Sequence, residues 1–90
     1  MAFEWDPAKR RTNLTKHKID FPDAARIFEG LTVEEVDDSM DYDEERILAV
    51  GETNGRIVVV TYTWRGDIRR IIPARRATKH EAAKYRALFS

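Results

Sequence analysis

Cysteine is absent from the 90-residue sequence, which excludes disulfide bonds, thiolate metal sites, iron–sulfur clusters and a cysteine nucleophile. Long apolar runs are also absent, since none approaches the roughly 18 residues of a membrane-spanning helix. The N-terminus MAFEWDPAKRR has no apolar stretch between its charges and no cleavage site, so it is not typical of a signal peptide. We therefore expect a cytoplasmic protein with a single domain over residues 1–90 and no membrane partner.

Serine and histidine are scarce, which narrows the catalytic classes. The two serines, Ser39 and Ser90, do not stand in a nucleophile-elbow motif, so serine catalysis is not expected. The helix beginning His80-Glu81 matches a zinc-protease motif until Lys84 takes the place of the second histidine. The acidic stretch 34–45 could bind a divalent cation, but its spacing matches no metal-binding loop. We expect neither a metal nor another cofactor.

Charge is balanced overall, with 16 basic and 16 acidic residues, but it is divided unevenly along the chain. Residues 29–45 hold nine acidic residues and no basic one, whereas most arginines follow residue 46. A cationic C-terminal half indicates a site for a polyanion such as RNA. The alternative is that the acidic and basic blocks face each other in the fold and cancel.

Local signals predict the order β-α-α-β-β-β-β-α. Asp6-Pro7 is typical of a helix start, Asp20 caps a second helix that ends at Gly30, and a Thr78–Glu81 capping box begins the last. Strands are expected near residues 3–5, 31–36, 46–51, 57–64 and 68–75, with hairpin turns at Asn54-Gly55 and Gly66-Asp67. The pattern favours an α+β domain: a small antiparallel sheet with two N-terminal helices and one C-terminal helix. We expect Ala82, Tyr85, Leu88 and Phe89 to face inward, and Trp5 and Trp64 to lie in or beside the core.

The strongest chemical signal is a set of arginines close to aromatic residues. The arginines are Arg65, Arg69, Arg70, Arg75 and Arg76, and the aromatic residues are Tyr62, Trp64 and Tyr85. Arginine binds phosphate through a planar fork of donors, and aromatic rings stack on unpaired bases. RNA supplies its own nucleophile, the 2′-hydroxyl, so a protein can cleave it with a proton acceptor, a proton donor and cations alone.

Several assignments stay open at this level. Strict alternation places Arg69 and Arg75 on one face of the strand and Arg70 on the other, but a bulge at Pro73 would change this. His17 lies one helical turn from Asn13, so both could address one spot, or the histidine could be structural. Glu45-Arg46 could be catalytic or an ordinary ion pair, and Tyr85 could belong to the core.

Beyond these patterns, the sequence resembles the BrnT family from residue 3 to residue 86. The matching residues are FEWDPAK at 3–9, Asn13, KHKIDF at 16–21, Glu45-Arg46 with Gly51, VVTYT at 59–63, and RIIPARRA at 70–77 with Glu81 and Tyr85. The resemblance implies a RelE-like ribonuclease toxin of a type II toxin–antitoxin pair, which halts translation by cleaving RNA. It also implies a BrnA-like ribbon-helix-helix antitoxin as partner, with operator DNA bound only through the complex.

Two residues depart from the family pattern. Lys18 stands where the family usually has glycine at a left-handed helix end, a conformation that costs a non-glycine residue about 1 kcal/mol. Pro73 replaces the usual serine, which removes a backbone donor and a hydroxyl. The neighbouring Arg70 and Arg75 are intact, so we expect the site to be preserved.

The leading hypothesis is a metal-independent endoribonuclease. We expect Arg65, Arg70 and Arg75 to contact phosphate, with Arg46 as a further candidate. His17 and Glu45 are the candidates for proton transfer, and Tyr85 for stacking or proton relay. The alternatives are a non-catalytic nucleic-acid-binding or co-repressor module, and an interaction protein whose acidic stretch 29–45 docks a basic partner.

Overall fold

The computed structural model describes residues 2–38 and 44–89. Its elements confirm the predicted order and the α+β class. The elements are β1 (Ala2–Glu4), α1 (Pro7–His17), α2 (Phe21–Ala25), a 3₁₀ helix (Arg26–Glu29), β2 (Val33–Asp37), β3 (Arg46–Thr53), β4 (Arg56–Arg65), β5 (Ile68–Arg76) and α3 (Lys79–Phe89).

The five strands form one sheet in the order β1-β5-β4-β3-β2. Strands β2 to β5 are antiparallel to their neighbours, as expected, but β1 runs parallel to β5, so the sheet is mixed. Tight turns fix the direction of β4 and β5, whereas β1 and β5 are far apart in the chain. No turn between β1 and β5 therefore dictates how they pair.

The core lies on one face of the sheet, which we call the core face. Its sheet residues include Ala49, Val60 and Ile71, and the segment 19–28 packs on them. Gly51 lets this segment approach, because a Cβ there would lie 2.7 Å from the Cβ of Ile27.

Helix α3 lies on the opposite face, which we call the α3 face and which carries Leu48, Val50 and Val59. None of its described residues is buried. Leu88 and Phe89 are 60% and 39% exposed, so the prediction that they face inward is wrong. The reason is that α3 packs on the face opposite the core cluster and lines a cavity against the sheet with residues of its first two turns, among them Glu81 and Tyr85.

The local helix signals are confirmed at atomic detail. The Asp6 side chain accepts a hydrogen bond from the Ala8 amide, and Pro7 occupies the first turn of α1. Lys18 ends that helix with φ 60° and ψ 30°, so the left-handed conformation persists without glycine. The second predicted helix begins at its Asp20 cap but tightens into the 3₁₀ helix before Gly30. No helix in the described part of the chain has the length and apolar content to cross a membrane.

A β-bulge in β5 sets the orientation of its arginines. Val60 pairs with Ala74 and Tyr62 pairs with Ile71, so Thr61 faces the two residues between them, Ile72 and Pro73. The bulge near Pro73, which the sequence suggested without deciding, is therefore present.

The bulge reverses the alternation between its two sides. Arg70 and Arg75 are five residues apart and would lie on opposite faces of a regular strand. With the extra residue they pair with Thr63 and Val59, both on the α3 face.

Asn13 satisfies the backbone at the bulge. Its side-chain oxygen accepts a hydrogen bond from the Ala74 amide at 3.0 Å, and its Nδ2 donates to the Ile19 carbonyl at 2.9 Å. The side chain is 6% exposed, so water does not replace these bonds easily. Asn13 thus ties α1 to β5 and to the start of α2.

Replacing Asn13 with alanine should lower the free energy of unfolding by about 2–4 kcal/mol, because two buried backbone groups lose their partners. Urea unfolding measures this loss, with the exposed Thr12→Ala as the matched control on the same helix. A loss below 1 kcal/mol would show that the two backbone groups find other partners.

Replacing Lys18 with glycine should raise the free energy of unfolding by up to about 1 kcal/mol, because glycine adopts the left-handed conformation without strain. Asn54, at φ 52°, provides the control, since asparagine tolerates this region and Asn54→Gly should change stability less. Thermal unfolding of the two variants tests whether Lys18→Gly stabilises the protein more than Asn54→Gly. Equal stabilisation by both would contradict the prediction.

Candidate functional site

Four of the predicted site residues lie on the α3 face. Arg70 and Arg75 pair there with Thr63 and Val59, and alternation along β3 and β4 adds Arg46 and Arg65. Arg70 and Arg75 sit opposite positions four residues apart on β4, which corresponds to about 13 Å. The cationic surface is therefore a strip along the sheet, long enough for more than one phosphate.

Each arginine of this strip has an acidic neighbour. Arg70 forms an ion pair with Glu4, its register partner on β1. Arg65 lies 3.3 Å from a carboxylate oxygen of Glu44. Arg46 is the cross-strand partner of Asp37. The acidic stretch 29–45 thus meets arginines through Glu44 and Asp37, so the cancellation considered as an alternative occurs in part.

The pair of Arg75 and Glu81 has the most defined geometry. Two guanidinium nitrogens donate to the two carboxylate oxygens at 2.7 and 2.9 Å. The same carboxylate accepts a hydrogen bond from the Thr78 amide at 2.8 Å, and the Thr78 hydroxyl accepts from the Glu81 amide. The capping box of α3 therefore aims Glu81 at Arg75. The hydrogen bonds from Arg75 lower the pKa of Glu81 from 4.5 to about 2 and raise the pKa of Arg75.

Tyr85 anchors the middle of α3. Its hydroxyl donates to the Leu31 carbonyl at 2.8 Å, just before β2, and its ring lies 5.0 Å from that of Phe89. Partial burial, and then the charge of Glu52, raise the pKa of this hydroxyl. Between α3 and the sheet runs a cavity of about 210 Å³ with Val50 and Val59 in its lining.

The two proton-transfer candidates differ in position. Glu45 is exposed immediately before β3, and its backbone carbonyl accepts a hydrogen bond from Thr63 at 2.8 Å. It therefore lies at the end of the strip that holds Arg46 and Arg65. His17 ends α1 on the core-face side of the sheet, so the fold does not bring it together with the arginines.

Arg69 occupies a separate cluster on the core-face side. Its guanidinium carbon lies 4.5 Å from the ring centroid of Phe28, 4.6 Å from that of Trp64 and 5.2 Å from that of Tyr62. The Tyr62 hydroxyl donates to Glu34 at 2.5 Å, and burial followed by this hydrogen bond raises its pKa.

The prediction missed the carboxylates that hold the arginines. The capping box identified Glu81, but its reach to Arg75 depends on how the chain turns after β5. Glu4 meets Arg70 only through the parallel pairing of β1. Within residues 2–38 and 44–89, no group of three or more His, Asp or Glu side chains is arranged to hold a metal ion. Part of the acidic stretch 34–45 considered for a cation, including Ser39, lies outside the described residues.

The ion pair between Arg75 and Glu81 predicts a pH-dependent contribution to stability. Glutamine at position 81 retains the cap but not the charge, so Glu81→Gln should lower the free energy of unfolding by up to about 1 kcal/mol at pH 7. Because the folded pKa of Glu81 lies below its unfolded value of 4.5, the advantage of the wild type is complete above pH 5 and declines towards pH 2. Urea unfolding of both proteins between pH 7 and pH 3 measures it, and a constant difference would contradict the pairing.

Comparison with known families gives a match that covers most of the chain. No curated relative matches the chain. The model of the family described as "Ribonuclease toxin, BrnT, of type II toxin-antitoxin system" matches residues 5–81, which include α1, the bulge and Glu81. The chain therefore belongs to the BrnT family of ribonuclease toxins from type II toxin–antitoxin systems.

Proposed function

We propose that this toxin is a metal-independent endoribonuclease whose RNA-binding surface is the arginine strip on the α3 face. The observation that carries the proposal is the bulge opposite Thr61, because it turns Arg70 and Arg75 to the same face. Arg65 on β4 lengthens the strip, and Arg46 on β3 widens it at the level of Arg70. A single RNA strand along it would meet a cation at successive phosphates.

The ion pairs of the strip support phosphate binding. Arg75 already holds a planar group through two oxygens, which is the geometry that a bidentate phosphate contact requires. An RNA phosphate would exchange with the carboxylate of Glu81. Both partners are partly exposed, with side-chain exposures of 39% and 30%, so the exchange needs no opening of the core.

The reaction would use the 2′-hydroxyl of the RNA as its nucleophile. Glu45 would accept the proton of this hydroxyl while its oxygen bonds to the adjacent phosphorus. The bond from phosphorus to the 5′-oxygen then breaks, and the leaving oxygen takes a proton from solvent. The products are a 2′,3′-cyclic phosphate and a 5′-hydroxyl. Arginines stabilise the additional negative charge on the phosphoryl oxygens in the transition state.

Tyr85 would stack on a base or relay a proton beside the strip. Its hydroxyl anchors α3 by donating to the Leu31 carbonyl, and Tyr85 follows Glu81 by one helical turn. His17 stays outside this scheme because α1 lies on the other face of the sheet.

The antitoxin follows from the toxin–antitoxin family, and we propose that it is a BrnA-like ribbon-helix-helix protein acting in the cytoplasm. The exposed acidic residue Glu35 on the edge strand β2 supports a basic docking segment in this partner. The complex, and not the toxin alone, would bind operator DNA.

Replacing Arg75 with alanine should reduce cleavage of a structured RNA in excess EDTA by at least about 100-fold, because a charge-stabilising donor is lost. Arg76→Ala is the matched control: Arg76 is the next residue, but it pairs with Val58 and so belongs to the core face. The measurement is the yield of fragments with 2′,3′-cyclic phosphate ends. Circular dichroism verifies that both variants are folded.

Equal losses in the two variants would indicate a general charge effect and would contradict the proposed strip. The second candidate is a nucleic-acid-binding or co-repressor module without catalysis, in which the same arginines would exchange their carboxylate partners for phosphates without cleavage. RNA binding that falls steeply with salt, with no product on free RNA or on translating ribosomes, would support that candidate.

A further inference from the structure

Trp64 is a large aromatic residue that the fold holds at the surface. It is 44% exposed, whereas the adjacent rings of Tyr62 and Phe28 are 2% and 7% exposed. The expectation that it lies in or beside the core thus holds for only part of its ring. An exposed tryptophan in a rigid setting is a feature of binding surfaces.

The side chains beneath Trp64 fix its orientation. Arg69 is its cross-strand partner, and the guanidinium carbon lies 4.6 Å from the indole centroid. The ring of Tyr62 meets the indole edge-on, with centroids 5.6 Å apart and an interplanar angle of 88°. Since Arg69 also lies over Phe28, the whole stack rests on the core. Trp64 can therefore bind a second flat group at little cost in side-chain entropy.

The cluster also carries a positive charge close to this ring. The Nε of Arg69 is buried and makes no hydrogen bond to any residue that the structure describes. A cation beneath an exposed ring favours a ligand that is flat, polarisable and part of a polyanion. An unpaired nucleobase of RNA has these properties.

Trp64 is also next to the arginine strip. Arg65 follows Trp64 in the chain and Arg70 follows Arg69, and alternation places each pair on opposite faces at one end of the sheet. The two-residue turn Gly66-Asp67 closes this end. An RNA strand that rounds the turn could contact the arginines with its phosphates and Trp64 with a base.

We propose that Trp64 is a stacking platform for one unpaired base of the RNA substrate, next to the phosphate contacts of Arg65 and Arg70. The inference rests on the proposed function, because it assumes that RNA occupies the strip. It adds a binding subsite on the core-face side of the sheet, at the end that the turn Gly66-Asp67 closes. The platform accepts any base, since every base presents a flat face.

Fluorescence tests the contact directly. Trp5 is the second tryptophan and packs edge-on against Phe21, so a Trp5→Phe background leaves Trp64 as the reporter. The probe is a single-stranded RNA oligonucleotide with 2′-O-methyl groups, which cannot be cleaved through the 2′-oxygen. Saturating the protein with this probe should quench the Trp64 emission. Unchanged emission at saturation would overturn the proposal.

Affinity provides the second measurement. Trp64→Leu should raise the Kd for the same oligonucleotide by about tenfold, and Trp64→Phe by less, because phenylalanine keeps a smaller stacking surface. For cleavable RNA, KM should rise while kcat changes less than about twofold, since stacking binds substrate and transition state alike. Leu14→Ala is the control, because Leu14 has a similar exposure of 45% but lies on α1.

The outcomes separate this inference from the proposed function. Wild-type protein that cleaves RNA, with folded Trp64→Leu and Trp64→Phe variants of unchanged Kd and KM, would overturn the platform alone. A wild type that neither binds nor cleaves RNA would overturn both. A Trp64→Leu variant that loses affinity for the antitoxin and not for RNA would identify Trp64 as a protein-docking residue and overturn the platform.

Discussion

The bulge opposite Thr61 is the constraint on which the rest of the structure depends. Pro73 has no backbone N–H to give to the ladder, and the next amide, that of Ala74, bonds to Asn13 of α1 instead of to a strand. One irregularity therefore joins the N-terminal helix to the sheet. It also turns Arg75 to the face that holds Arg70. Pro73 is accommodated because the bulge needs no backbone donor at this position.

The basic surface depends equally on carboxylates. Glu4 and Glu44 reach Arg70 and Arg65 from the acidic half of the chain, whereas Glu81 reaches Arg75 from α3. These pairs explain how a chain of zero net charge can present a strip of arginines. They also hold α3, which has no buried residue and is attached through Glu81 and Tyr85. A phosphate that displaced Glu81 would change the anchoring of α3 as well as the charge of the strip.

The local predictions were confirmed where chemistry within a few residues decides the conformation. Asp6 caps α1, Thr78 and Glu81 form their capping box, and Asn54-Gly55 forms a turn with both φ angles positive. The prediction was wrong for Leu88, because helical spacing shows a possible apolar side but not whether a surface is available to cover it. The parallel pairing of β1 was missed because no local signal specifies a contact between the two ends of the chain.

The sequence by itself determined the element order, the caps, the turns and the residue types of a phosphate-binding surface, since each follows from propensity and from contacts within a few positions. Only the tertiary structure decided which arginines share a face, because a one-residue bulge reverses alternation and nothing in the chain specifies its exact place. The tertiary structure also separated His17 from the strip and left Trp64 exposed on its Arg69 support. Those outcomes depend on which face of the sheet each helix covers, and that is set by the packing of the whole core.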